Sequence, residues 1–282
     1  MTLLHQRSKR LSHDLSKVMA TLSEGVSEKG VHRLRTTIRR LETLFNYAEP
    51  DLGKKQQKAV FELRALRKRA GKVRDLDIQI GLLASIGNRS AATDRRALLE
   101  ALKKKRAKQV DRLTTATEKL ESSKFFGHLA RITGKTATQQ RQDSVAPLQR
   151  VRQELSQLAA DSSSSQSLRP DCLHELRIKL KLLRYQAELA EKTPEQNDLM
   201  EQLKAVQDSI GEWHDWEMLA RSAEKQFDDR MNCALLVEIR ALFAARYSAA
   251  NSAAANFLTD YSPAAKKRPS SVQPSLAVAQ RA

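Results

Sequence analysis

Two segments of this chain, about 142 residues apart, repeat the same basic residues at the same spacing. In each segment a histidine is followed by basic residues three and seven positions later: His32, Arg35 and Arg39 in the first copy, and His174, Arg177 and Lys181 in the second. Residues at these offsets share one face of an α-helix, so each copy predicts a cationic stripe about 10 Å long. Such a stripe suits a ligand with negative charges repeated along a line, and arginine adds multi-donor contacts to phosphate oxygens.

Apolar residues flank both stripes and predict that the basic residues border a buried helix face. Leu34 and Ile38 accompany the first stripe, and Leu176 and Leu180 accompany the second. Packing of the side-chain stems would leave the charged heads partly ordered. A helix face rich in lysine and arginine is most often only solvated, but unselected surface charges have no reason to recur at identical offsets. The repetition therefore favours anion binding, although the histidines could instead be buried and hydrogen-bonded at a helix start.

A second motif follows each stripe and is also duplicated, as Gly71–Asp77 and Gly211–Glu217. Its matching acids are Asp75 and Asp215, for which we expect a structural role instead of catalysis, either stabilising a helix N-terminus or orienting a cation. Basic residues near the glycines, or continuing the stripes, extend the candidate anion site: Arg67, Arg74, Arg184 and His214.

The overall charge also favours an anionic partner. The 282 residues include 50 Lys and Arg against 33 Asp and Glu, a formal charge of +17. Nearly all of this excess lies in residues 1–142, which carry 32 basic and 14 acidic residues. Nucleic acid, polyphosphate and an anionic membrane surface are the partners that such a balance suggests.

The composition predicts an all-α fold. There are only nine Gly and seven Pro, and apolar residues recur with helical rather than strand periodicity. We expect helices to end near Gly71 and Gly211. The repeated order of motifs predicts two four-helix bundles related by a pseudo-two-fold axis, formed by an internal duplication. We place the first helical repeat at about 1–122, a junction at 123–142, the second repeat at about 143–260, and a disordered basic tail at 261–282.

These paired motifs resemble the conserved histidine α-helical domain, or CHAD, family over about residues 1–260. The resemblance implies two four-helix bundles whose basic helices line a central groove or pore. It also implies binding of inorganic polyphosphate, with association with polyphosphate granules in some members. The residues that match the two family helices are His32, Arg35, Arg39 and Arg40, and His174, Arg177, Lys181, Arg184 and Tyr185. The second copy departs from the first at Leu182, which stands where the first has Arg40.

We therefore expect a non-catalytic polyphosphate-binding protein, with neither a cofactor nor a bound metal. A nucleic-acid-binding protein is the first alternative, although no recognition motif or zinc spacing supports it. A metal-dependent phosphohydrolase is the second, with Gly211–Glu217 and its His214 as the nearest candidate. Only Cys172 and Cys233 occur, and no apolar run resembles a signal peptide or membrane span, so we expect a cytoplasmic protein with reduced thiols.

Overall fold

The chain is helical throughout the part that the structure describes. This computed structural model describes residues 3–48, 52–87, 92–135, 146–162, 168–227 and 233–262, and no strand occurs in those ranges. Five helices form the first half: α1 Leu3–Glu24, α2 Glu28–Ala48, α3 Lys54–Ser85, α4 Ala92–Glu121 and α5 Phe125–Lys135. Four form the second half: α6 Pro147–Ser162, α7 Pro170–Ala187, α8 Pro194–Gln226 and α9 Ala234–Tyr261. The predicted all-α fold class is confirmed.

Each half buries an apolar core of its own. Helices α1 to α5 enclose the first core, where Leu34, Ile38 and Leu41 of α2 are fully buried. Helices α6 to α9 enclose the second, where Leu173 and Leu180 of α7 are fully buried. The apolar arcs that flank the two basic stripes thus anchor α2 and α7, which leaves the stripes at the edge of each core.

A third apolar cluster joins the two halves, and the prediction of two separate bundles did not include it. It is formed where the second part of α3 and of α8 meets the first part of α4 and of α9. Its most deeply buried side chains include Leu98, Leu102, Leu219, Leu235 and Leu236. The halves therefore share a core, and α3 and α8 each contribute to two of the three clusters.

Gly71 and Gly211 do not end helices, contrary to the prediction. Helix α3 continues through Gly71, and α8 continues through Gly211. A glycine inside a helix costs only about 1 kcal/mol relative to alanine. In α3 the buried Ala70 and Val73 lie on either side of Gly71, so packing outweighs that local preference.

The predicted junction at 123–142 contains α5 instead of an open connection. Phe125, Leu129 and Ile132 of this short amphipathic helix are buried in the first core, so the first half extends at least to Lys135. The rest of the predicted junction, and the predicted tail from residue 263 onward, lie outside the described residues.

Helix α7 lies against α2. Helix α1 contacts the residues that directly follow α7. Arg40 of α2 donates to both carboxylate oxygens of Glu188, which follows α7, at 2.7 and 3.3 Å. Arg7 of α1 donates to the backbone carbonyls of Glu188 and Ala190, at 2.8 and 3.0 Å. Cations at the C-terminal carbonyls of a helix are favourable, so the bonds of Arg7 stabilise the docking of α1 on this end of the second half. The Arg40–Glu188 pair is a second contact between the two halves.

Candidate anion-binding site

A cleft of about 550 Å³ lies between α2 and α7, with α3 and α8 contributing the remaining walls. Most of the residues predicted for the anion site line it: His32, Arg35, Arg39, Arg40, Arg74, Arg177, Lys181, Arg184 and Tyr185. The two stripes therefore belong to one cleft, to which each half contributes.

Three cations in the cleft have no acidic partner. Within the described part of the chain, Arg39, Arg177 and Lys181 make no ion pair within 4.0 Å. Burial lowers the pKa of the Arg39 and Arg177 guanidinium groups. Burial, reinforced by the neighbouring arginines, lowers the pKa of Lys181 to about 7. Desolvation thus disfavours the charge on all three groups, and carboxylates beyond ion-pair distance, such as Asp215 near Arg177 and Lys181, offset only part of that cost.

Other cations of the cleft are held by a polar partner. Arg35 Nη1 lies 3.8 Å from Asp75 Oδ1, and Arg74 Nη1 lies 3.6 Å from Glu28 Oε2. Arg184 donates to the amide oxygen of Gln207 at 3.4 Å. These contacts are long and therefore weak, so they orient the cations without fully neutralising them.

Gly71 allows Arg35 to lie directly over α3. A Cβ atom built on Gly71 would be only 2.5 Å from Arg35 Nη1, so any other residue would displace that guanidinium. Gly211, the matching glycine of α8, would meet no atom within 4 Å. The two copies of the glycine motif therefore differ in what they do, although both line or border the cleft.

The CHAD domain family matches residues 8–224, which is well over half of the chain. The chain belongs to the CHAD domain family. No curated protein sequence matches it significantly.

Two solved structures resemble this CHAD domain in fold. The CHAD domain from the plant Ricinus communis has a TM-score of 0.66 and 19% identity, and the match covers 91% of each chain. PptA from Streptomyces chartreusis has a TM-score of 0.62 and 15% identity, and the match covers 92% of this chain and 97% of that one. At such identities the likeness concerns the fold alone. No described helix of this CHAD domain is long and apolar enough to cross a membrane.

Of the two roles expected for the matching acids, the structure of this CHAD domain agrees with the orientation of a cation and not with a helix N-terminus. Asp75 and Asp215 do not begin helices, because α3 and α8 are continuous there, and both line the cleft. Burial raises the pKa of each carboxyl, while Arg35 acts against that shift at Asp75 and Arg177 acts against it at Asp215. Asp75 and Asp215 hold the same position in the two motifs, and this repetition could have indicated that both line one cleft.

Three further acids line the cleft, and of these only Glu212 belongs to a repeated motif. Glu188, Asp208 and Glu212 lie along its α7 and α8 walls. The cleft is therefore not uniformly cationic: carboxylates and cations are interspersed, and the unpaired cations are concentrated where α2 faces α7.

Three of the predicted site residues do not line the cleft. Arg67 pairs instead with Glu42 of α2, with its Nε 2.7 Å from Oε2. His174 and His214 pack against each other, with ring centroids 5.3 Å apart. Burial and the nearby Arg177 lower the pKa of His214 to about 3, so this imidazole is neutral near pH 7. His174 and His214 therefore fit a packed role better than direct contact with an anion, whereas His32 is exposed and lines the cleft.

Proposed function

We propose that this CHAD domain binds inorganic polyphosphate in the cleft between α2 and α7, and that it catalyses no reaction on it. The observation that carries the proposal is the group of desolvated cations without an acidic partner, Arg39, Arg177 and Lys181. A phosphate chain would supply the missing negative charge to all three. Binding would also release counterions, so the affinity should fall steeply with salt.

Several features favour polyphosphate over nucleic acid. Proteins that bind single strands offer aromatic side chains on which the bases stack. Aromatic residues make up only 5% of this chain, and Tyr185 is the one aromatic side chain that lines the described cleft. The stripes instead offer a row of positive charges. A chain of phosphates matches such a row, whereas the stacking of bases does not require it. We propose a soluble protein, with association with polyphosphate granules following from the binding itself.

Replacing Arg35, Arg39, Arg177 and Lys181 by alanine tests the proposal. We expect the affinity for long-chain polyphosphate to fall at least about 100-fold, because four phosphate contacts are lost. The free energy of unfolding should not fall appreciably, since burial of Arg39, Arg177 and Lys181 without an ion pair opposes folding. The contact of Arg35 with Asp75 is long and contributes little. Titration calorimetry and thermal unfolding measure the two quantities.

Four exposed lysines provide the matched control. Replacing Lys54, Lys55, Lys104 and Lys105 by alanine removes the same charge from surfaces outside the cleft. We expect this variant to keep most of its affinity for polyphosphate. Equal losses in both variants would indicate a diffuse basic surface. Equal binding of polyphosphate and of single-stranded DNA with the same charge would instead support the nucleic-acid alternative.

A further inference from the structure

A second cavity adjoins the cleft beyond Glu188. It has a volume of about 580 Å³ and lies between α1, the end of α7 and the start of α8. Arg40, Arg184, Tyr185 and Glu188 line both cavities, so the two spaces are neighbours separated only by these side chains.

The second cavity has cations of its own. Arg10 and Lys192 line it, both are exposed, and neither has an ion-pair partner among the described residues. Arg7 also lines it, but its guanidinium is engaged with the carbonyls at the end of α7. Asp14 and Glu188 are the acids among its lining residues.

An ion pair stands at the boundary between the cavities. Arg40 contacts both oxygens of Glu188, and the side chains are 45% and 20% exposed. Because the Arg40 side chain is nearly half exposed, a phosphate group can reach it and replace Glu188 as its partner in charge-assisted hydrogen bonds. Glu188 would then lose its cation at the C-terminal end of α7, where a carboxylate is unfavourable. A ligand must therefore gain contacts elsewhere to offset that loss.

We propose that the cleft and the second cavity form one continuous phosphate track, which makes binding depend on chain length. This inference rests on the proposed function. A short phosphate chain fills the cleft and leaves the Arg40–Glu188 pair closed. A longer chain displaces Glu188 from Arg40 and continues to Arg10 and Lys192, whose contacts offset the broken pair.

The test compares tripolyphosphate with long-chain polyphosphate on the full chain carrying Arg10→Ala and Lys192→Ala. We expect about a tenfold loss of affinity for the long chain and less than about a twofold loss for tripolyphosphate. Replacing Lys9 and Lys17, exposed lysines of α1 that line neither cavity, removes the same charge and should leave the ratio between the ligands unchanged.

A second pair of variants tests the boundary. Glu188→Gln frees Arg40 and should raise the affinity for the long chain about threefold, whereas Glu191→Gln removes the same charge outside both cavities and should not. Unchanged long-chain affinity in the Arg10/Lys192 variant, or equal losses for both ligands, would overturn the track while leaving the proposed function intact. Failure of the unmodified protein to bind either ligand would overturn both.

Discussion

The position of Arg35 depends on the absence of a side chain on the neighbouring helix. Its guanidinium occupies the space where Gly71 would carry a Cβ atom, and it lies near Asp75 on the next turn of α3. The atom that would clash is the far end of a flexible side chain, so Arg35 can move away at little energetic cost. Gly71 therefore determines the position of the Arg35 guanidinium more than it determines the stability of α3.

Gly71→Ala should separate binding from stability. We expect the free energy of unfolding to stay the same or rise by up to about 1 kcal/mol, because alanine favours the helix. The affinity for polyphosphate should fall about threefold to tenfold, because the charged head of Arg35 is displaced. Titration calorimetry and chemical denaturation measure the two effects.

Gly81→Ala is the control in the same helix. Gly81 is exposed, lies outside the cleft, and would place its Cβ atom in open space. Gly81→Ala should stabilise α3 to a similar extent and keep the affinity of the unmodified protein for polyphosphate. A loss of affinity in both variants would show that the effect does not come through Arg35.

Lys181 is the cleft residue whose charge changes near neutral pH, since its pKa is about 7. Charged groups from four helices act on it: Arg177 on α7, Arg35 and Arg39 on α2, Asp215 on α8 and Asp75 on α3. Because the pKa is below its unfolded value, protonation of Lys181 opposes folding. That cost is fully present below about pH 7 and is relieved as the pH rises toward 10.5.

Polyphosphate binding should therefore be coupled to proton uptake. A bound polyanion favours the charged amine and raises the pKa of Lys181, so the affinity should increase as the pH falls toward about 7. Near pH 8 we expect binding to take up close to one proton. Calorimetry in two buffers with different ionisation enthalpies measures this number. In Lys181→Met the uptake should disappear, and uptake that persists would assign the proton to another group.

Helices α3 and α8 connect the cleft to the shared core. Asp75 and Asp215 lie near the middle of these long helices, and the residues that follow enter the third apolar cluster. Gln79 of α3 accepts from Ser222 of α8 at 2.6 Å, between the cleft and that cluster. The two helices that carry the acids are therefore fixed relative to each other by side chains outside the cleft.

Two adjacent residues of α9 test the contribution of the shared core. Leu236 is fully buried in the third cluster, whereas Val237 is 53% exposed. We expect Leu236→Ala to lower the free energy of unfolding by about 2–5 kcal/mol. Val237→Ala should change it by less than about 0.5 kcal/mol. Similar values for the two variants, measured by chemical denaturation, would show that this cluster is not a tightly packed core.

The helices themselves were largely predictable from the sequence, because their apolar periodicity is local information. The spacing of His32, Arg35 and Arg39 predicted that they share one helix, and all three lie in α2. The errors arose where packing outweighs local preference: at Gly71 and Gly211, and in α5, which contains two glycines and lies within the predicted junction.

The site was predictable only in part. The fixed offsets of Arg35, Arg39, Arg177 and Lys181 identified residues that the fold brings to one cleft. Helical spacing predicts the face of the helix on which a residue lies, but not the residue of another helix that it contacts. The pairing of Arg67 with Glu42 is such a contact between helices, and the sequence offers no local signal for it.

At the scale of the whole molecule, the half of the chain with the excess positive charge is not the half that supplies most of the cleft cations without an ion pair. The excess positive charge lies in the first half, yet the second half supplies Arg177 and Lys181, two of the three cations without an acidic partner. The net charge of a half therefore does not predict how many cations that half contributes to the cleft. What matters is which cations the packing removes from water and leaves without a carboxylate.

The shared core also has a kinetic consequence. Because both halves pack into the third cluster, and Arg7 ties α1 to the end of α7, the walls of the cleft are set during folding. Entry of the proposed phosphate ligand would then require side chains to move, as at Arg40, but no closing of one half onto the other. Association should accordingly be limited by encounter, which the +17 charge accelerates by steering polyanions toward the protein at low ionic strength.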